Sequence, residues 1–221
     1  MNSVKACIFD LDGTLLYTLE SIAHAGNRML GELGYPPRPV EEYRFFCGDG
    51  SDELVRRALA ASGGLTEENL TAGKILNRKY ISEMPLYHVR PYEGVPEMLA
   101  AMKARGTALA VVSNKPDRAA QDAIRGIFGD LFDYVAGQTP ALPVKPDPAI
   151  ALGAARALSA KPEECLYFGD SGTDMKTGKA ASMRTIGVLW GYRDAEELLR
   201  DGADELIASP QEALSLTAFL S

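Results

Sequence analysis

An α/β fold, a parallel sheet with a small all-helical unit inserted after its first strand, is predicted by three features of this 221-residue chain. Downstream of Tyr92 the hydrophobic pattern alternates between amphipathic helix and apolar strand, as when helices cover both faces of a parallel sheet. Between Thr18 and Leu86 helical periodicity runs almost throughout, and no strand pattern interrupts it. Three apolar runs end in polar residues: one at Asp10 and Asp12, one at Ser113 and Asn114, and one at Asp170 and Ser171.

Taken in order, the first strand is the run 6–9, which stops at the acidic pair. In the helical unit, Leu19, Ile22, Ala23, Leu30 and Leu33 repeat at helical spacing before Gly34, and Leu54, Val55, Ala58 and Leu59 before Gly63. A third helix is expected over 67–84, with hinge strands at 16–18 and 86–91. A helix over 95–105 puts Val95, Met98, Leu99 and Met102 on one face and stops at Gly106. A buried strand at 107–112, a helix over 117–127 and a short strand at 134–136 follow. Asp147 and Pro148 suit the N-terminus of a helix reaching 158. Strands at 165–168, 185–189 and 205–207 close the series. The expected division is a core of residues 1–17 and 87–221 with a helical insertion of 18–86.

The net charge of −7 argues against a nucleic-acid or membrane-surface protein, which needs a basic face. An anionic substrate remains compatible, because a few lysines or backbone amides make a local positive site. Cys7, Cys47 and Cys165 are far apart, without CxxC spacing, and read as reduced, mostly buried thiols. With no signal-peptide core and no segment long enough to span a bilayer, a cytoplasmic location is expected, and the oligomeric state, monomer or homodimer, stays open.

In open parallel sheets ligands bind beyond the carboxyl ends of the strands, so polar residues ending different strands can meet. If the first strand continues through them, Asp10 and Asp12 share a face, and two close carboxylates call for a cation, most simply a hard divalent ion. Alone, each feature also fits a turn, a helix cap or a solvated loop. Together with Lys145, Asp170, Ser171 and Asp174 they supply a complete phosphoryl-transfer set: nucleophilic carboxylate, proton-transfer carboxylate, hydroxyl and ammonium for phosphate oxygens, and acids for a metal.

In this order, FDLDGTL (9–15), VVSNK (111–115), the Lys145–Pro146 pair and GDSGTD (169–174) resemble the four motifs of the haloacid dehalogenase superfamily. The resemblance covers essentially the whole chain. It implies a Rossmann-like three-layer core with a helical cap inserted after the first motif. Within the superfamily the chain looks most like phosphoglycolate phosphatases, through CGDGSDELVRRAL (47–59), PYEGVPEML (91–99), SNKP (113–116) and WGYR (190–193). Carried over, the resemblance implies hydrolysis of a small phosphorylated metabolite, 2-phosphoglycolate by preference. Asp10 would be the nucleophile, forming an aspartyl-phosphate, and Asp12 the acid and then base. Ser113 and the backbone of Asn114 would hold phosphoryl oxygens, and Lys145 would offset charge on nucleophile and phosphate. Mg²⁺ would be held by the side chains of Asp10 and Asp170 and the carbonyl of Asp12, with Thr14, Ser171 and Asp174 supporting that shell.

In the cap, Gly48, Asp49 and Gly50 form a loop expected to reach the site, followed by Arg56 and Arg57; specificity is expected there. His24 and His88 lack paired ligand spacing and read as surface or hinge residues, while Trp190 and Tyr192 read as packing core against loop. A dehalogenase of this fold does not use the second acid of DxD, so Asp12 favours phosphate chemistry. Pyrophosphatase, nucleotidase and sugar-phosphate mutase activities remain alternatives of the same fold, and a non-catalytic metabolite-binding regulator is the alternative of a different class.

Overall fold

The structure, a computed structural model, describes residues 4–217. The chain runs β1 (Ala6–Phe9), β2 (Leu16–Tyr17), α1 (Leu19–Glu32), α2 (Tyr43–Phe46), α3 (Ser51–Ala61), α4 (Glu67–Glu83), β3 (Arg90–Pro91) and α5 (Val95–Ala104). It continues through β4 (Ala108–Pro116), α6 (Asp117–Phe128), β5 (Tyr134–Gln138), α7 (Ala149–Ala157), β6 (Cys165–Gly169), α8 (Gly172–Ala180), β7 (Arg184–Val188), α9 (Ala195–Arg200), β8 (Glu205–Ile207) and α10 (Pro210–Leu216). Six strands form one parallel sheet in the order β5-β4-β1-β6-β7-β8.

The central strand β1 reads ACIF and is buried along its whole length, as a strand covered on both faces must be. Its side chains alternate between two cores. Cys7 and Phe9 join Leu99, Met102, Val111 and Phe168 on one side, whereas Ala6 and Ile8 join Val112, Ile150, Ala154 and Tyr167 on the other. The register Phe9↔Val111 and Phe9↔Phe168 brings the C-terminal ends of β1, β4 and β6 to one edge of the sheet.

Helices α1 to α4 enclose a core of their own that includes Leu19, Met29, Leu30, Tyr43, Leu59 and Tyr80. The two crossings between this helical segment and the sheet are β2 and β3, which pair antiparallel through Leu16↔Pro91 and Tyr17↔Arg90. Both lie within the stretches expected to be hinge strands. Among the described residues no helix is long and apolar enough to cross a membrane.

Several local expectations are corrected. Strand β1 ends at Phe9 and does not continue through Asp12, because the amides of Leu15 and Leu16 both turn back onto the carbonyl of Leu11. Strand β4 runs past Ser113 and Asn114 to Pro116 with an irregularity after Val112. Helix α7 begins at Ala149, and Asp147 accepts from that residue's amide. Helices α2, α8, α9 and α10 carry no apolar repeat long enough to read. The buried face of α8, for example, consists of Gly172, Asp174, Met175, Thr177 and Gly178.

Candidate active site

The turn after β1 presents Asp10, Asp12 and Thr14. Asp10 remains tied to β6 through its amide on Phe168 O at 2.9 Å. Gly13 adopts φ +91°, and a Cβ there would fall 2.2 Å from Asp170 Oδ2. Gly191 leaves the same room on the other side, since its Cβ would meet Asp170 Cβ at 2.2 Å. Side chains at these two positions are excluded by the close approach of the Asp170 carboxylate.

Helix α8 begins with a reciprocal cap that also shapes the site. Ser171 Oγ donates to Asp174 Oδ2 at 2.5 Å, the Ser171 amide reaches the same oxygen at 3.2 Å, and Asp174 N returns to Ser171 Oγ. Lys145 Nζ then bridges Asp10 Oδ1 at 2.6 Å and Asp174 Oδ1 at 2.7 Å, with all three side chains almost fully buried. Asp170 accepts from the Thr14 hydroxyl at 3.2 Å and the Tyr192 amide at 2.8 Å.

Carboxylate oxygens of Asp10, Asp170 and Asp174 lie within 4.8 Å of one another. Burial, then the charge of Asp174, raises Asp10 well above the ordinary carboxyl range despite Lys145. The same two causes push Asp170 up to about 7. Lys145 would be lowered by burial alone, but Asp10 and Asp174 outweigh this and hold it protonated. Ionising all three buried carboxyl groups against one ammonium would leave excess negative charge, which, after burial, is what raises Asp10 and Asp170, and their donor set is all oxygen. A hard divalent cation fits both facts.

Asp12 stands apart from this cluster. Its two oxygens accept from Lys115 Nζ at 3.0 and 3.2 Å, so each aspartate of the DxD pair has its own lysine. Ser113 lines the cavity, and its Oγ accepts from the Lys115 amide, leaving its proton free to donate. Asn114 binds the backbone of Lys145 in both directions and also donates to Gly48 O at 3.1 Å.

Gly48 and Gly50 line the cavity beside Asp10, Asp12, Ser113, Asp170 and Ser171. Asp49 bonds Thr173 Oγ1 at 2.6 Å and Arg57 at 2.5 Å, linking the loop to α8. Arg56 is not brought to this cavity; it pairs with Glu53 on an exposed face. His88 is exposed and bonds Glu20, and the His24 ring lies against Tyr87, tilted by 30°. Trp190 Nε1 donates to Thr14 O at 2.9 Å, and Tyr192 packs into the helical core with its hydroxyl on Thr18.

Sequence reasoning gave no role to four residues of the site. Lys115 falls inside the quoted SNKP segment but was read only as part of the motif. Arg193, which lines the cavity, and Arg44 beside it join the helical segment to the 190–193 stretch through main-chain carbonyls: Arg44 donates to Tyr192 O, and Arg193 to Arg44 O and Cys47 O. Asn77 lines the cavity from α4 and is 1% exposed, and among the described residues neither its Oδ1 nor its Nδ2 has a hydrogen-bond partner. An unpaired buried amide costs about 1–3 kcal/mol. Its signal in the sequence is a polar residue at the 4- and 3-residue spacing of Gly73, Asn77 and Tyr80, the inward face of α4.

Comparison with known proteins agrees with this geometry. The family model for haloacid dehalogenase-like hydrolases matches residues 7–188. The chain is 34% identical over 217 residues to a phosphoglycolate phosphatase of Thiobacillus denitrificans, covering 95% of this chain and 94% of that protein. It is also 34% identical over 218 residues to one of Nitrosospira multiformis, covering 96% and 95%. A predicted phosphoglycolate phosphatase from Haemophilus somnus superposes with a TM-score of 0.90 at 29% identity, covering 98% of this chain and 99% of that one. CbbY from Rhodobacter sphaeroides, solved in complex with phosphate, superposes at 0.76 with 28% identity, covering 95% and 96%. The chain therefore belongs to the haloacid dehalogenase-like hydrolases, and among them it resembles the phosphoglycolate phosphatases.

Proposed function

We propose that the protein is a Mg²⁺-dependent phosphomonoesterase acting on a small phosphorylated metabolite, with 2-phosphoglycolate as its preferred ester. The observation that carries this reading is the buried Lys145 bridge between Asp10 and Asp174, beside Asp170 and at the end of a cavity lined by Asp12 and Ser113. The naming of its relatives supports the ester.

In this reading Asp10 attacks phosphorus, an Asp10 O–P bond forms, and the bond from phosphorus to the alcohol oxygen breaks. Asp12 gives its proton to that departing oxygen. It then takes a proton from the water that attacks the aspartyl-phosphate, so that phosphate and free Asp10 are restored. Ser113 Oγ and the backbone of Asn114 hold phosphoryl oxygens, and Lys145 keeps Asp10 oriented and offsets charge. Asp10, Asp170 and the carbonyl of Asp12 would hold Mg²⁺, with Asp174, Ser171 and Thr14 fixing those ligands. The ion would supply positive charge for the carboxylates and the phosphoryl group. Residues 18–86 act as a cap over a core made of 1–17 and 87–221, and their separate apolar cluster supports that division. The Gly48–Gly50 loop closes the cavity; the outward pairing of Arg56 argues against giving it a direct part in specificity.

The test is phosphate release from 2-phosphoglycolate, sugar phosphates, nucleotides and pyrophosphate, each with and without Mg²⁺. Turnover of 2-phosphoglycolate with the highest kcat/KM, and only with the ion present, is expected. No release from any ester overturns the reading.

A further inference from the structure

The cavity holds a buried side-chain amide that neither the fold nor the reaction above uses. Asn77 sits on the inward face of α4, where the neighbouring cavity wall is made by the apolar side chains of Ile22, Leu54 and Ile81. A leucine would fill the same position without leaving two buried polar atoms unpaired. An amide retained there points to a partner that arrives with the ligand.

The charge on the cavity wall narrows what that ligand carries. Two cationic side chains line the cavity, Lys115 and Arg193. Arg193 is committed to Arg44 O, Cys47 O and Glu197. Lys115 has Asp12 as its only side-chain partner among the described residues, and an ammonium has three donors. Lys115 thus has one donor left for a second anion while it still holds Asp12 through the other two.

We infer that Asn77 and Lys115 form the subsite for the leaving group and that these two side chains are what recognises the carboxylate of the hydroxy-acid ester proposed above. The inference rests on the phosphomonoesterase reading, in which Asp12 faces the departing oxygen. In an ester of an α-hydroxy acid the carboxylate is one carbon from that oxygen, so a cation 3.0 Å from Asp12 is within its reach. The Asn77 amide approaches from the helical side and donates to the same carboxylate. Arg193, the other cation on the wall, is already taken up by Arg44 O, Cys47 O and Glu197. A site built to hydrogen-bond a group discriminates strongly against an analogue lacking it, because its own polar atoms are then left unpaired.

The experiment compares kcat/KM for 2-phosphoglycolate and for ethyl phosphate, the same ester with methyl in place of carboxylate. Their ratio cancels any damage common to both esters. The wild type is expected to favour 2-phosphoglycolate by ~10²-fold or more. Asn77→Leu and Lys115→Met should each reduce the ratio at least ~10-fold, while Lys115→Arg keeps most of it. Asn77→Leu should also raise Tm by ~2–6 °C, since it removes the unpaired amide. A purely structural asparagine predicts the reverse, a lower Tm with the ratio unchanged, and that result overturns the role of Asn77. A ratio unchanged in Lys115→Met overturns the role of Lys115. If the wild type hydrolyses ethyl phosphate as well as 2-phosphoglycolate, the carboxylate subsite is wrong while the phosphatase reading stands. If it hydrolyses neither, nor any other ester, the reading itself fails and the subsite falls with it.

Discussion

The side-chain amide of Asn114 clamps the backbone of Lys145 at both polar groups, accepting from its N–H at 2.8 Å and donating to its carbonyl at 3.1 Å. The pair is 31 residues apart in sequence and buried. It fixes the loop that carries the Lys145 ammonium to Asp10, so Asn114 is a positioning residue as well as a phosphate-binding candidate. Asn114→Ala should lower kcat about 10²-fold, the cost of a misplacement near 1 Å, with the circular dichroism spectrum unchanged. An unaltered kcat would refute the clamp's part in the reaction.

Asp10→Asn separates chemistry from stability. Burial and Asp174 disfavour the charged form of Asp10 in the protein without an added ion. The neutral amide should therefore hold Tm at or above the wild-type value when Mg²⁺ is absent, while turnover drops ~10³-fold or more. Retention of near-full activity would remove Asp10 from the role of nucleophile.

For Asp12 the expected loss depends on the alcohol. Asp12→Asn should cost roughly 10²-fold or more with an alkyl phosphate, whose leaving oxygen needs a proton, and much less with p-nitrophenyl phosphate. Equal losses for the two esters would count against proton transfer by Asp12.

Metal dependence has a readout that does not involve turnover. If Asp10, Asp170 and the carbonyl of Asp12 hold a divalent ion, Mg²⁺ at 100 times its Kd should stabilise the protein by about 2.7 kcal/mol, or ~5–10 °C in Tm. Asp170→Asn should abolish that shift. A Tm indifferent to Mg²⁺ and to chelator would contradict the metal site.

Away from the site, Asp204 accepts from Lys179 and from the amide and hydroxyl of Thr185. Burial alone would raise its carboxyl, but these partners outweigh it and hold it below the ordinary value of 3.8. A depressed folded pKa means the contribution is complete above the unfolded value and is lost as pH falls through the folded one. Asp204→Asn should therefore lower Tm at pH 7, and the difference should shrink below about pH 4 as the wild-type carboxylate protonates. A difference of constant size across that range would exclude ionisation as its source.

Much of the sheet was legible because β1, β4 and β6 each carry a buried apolar run that gives way to polar residues, at Asp10, Ser113 and Asp170. The long helices were legible from their apolar repeats, as at Leu19, Ile22 and Leu30. The short α8 was not, since what it buries is mostly glycine, threonine and an aspartate that serves the site. The acidic and hydroxyl residues of the site stood out as strand ends, but their pairings did not. Asp12 and Lys115 lie 103 residues apart, and their contact follows only once Phe9 is set beside Val111. Asn77 escaped for the opposite reason: its meaning lies in bonds it does not make, which no spacing encodes.

The segment from Trp190 to Arg193 is fastened in two directions at once. The Tyr192 amide holds Asp170, while the Tyr192 carbonyl receives Arg44 and the Arg193 guanidinium reaches Arg44 O and Cys47 O. The acceptors on the helical side are main-chain carbonyls, so this fastening is blind to the side chains of the loop it grips and weakly sensitive to salt. Cys47 is thereby held through its carbonyl whatever its side chain, whereas Asp49 adds side-chain bonds of its own to Thr173 and Arg57. One short segment thus serves both the acidic cluster, through Asp170, and the helical segment, through Arg44 and Cys47, so a substitution that displaces it is felt at both.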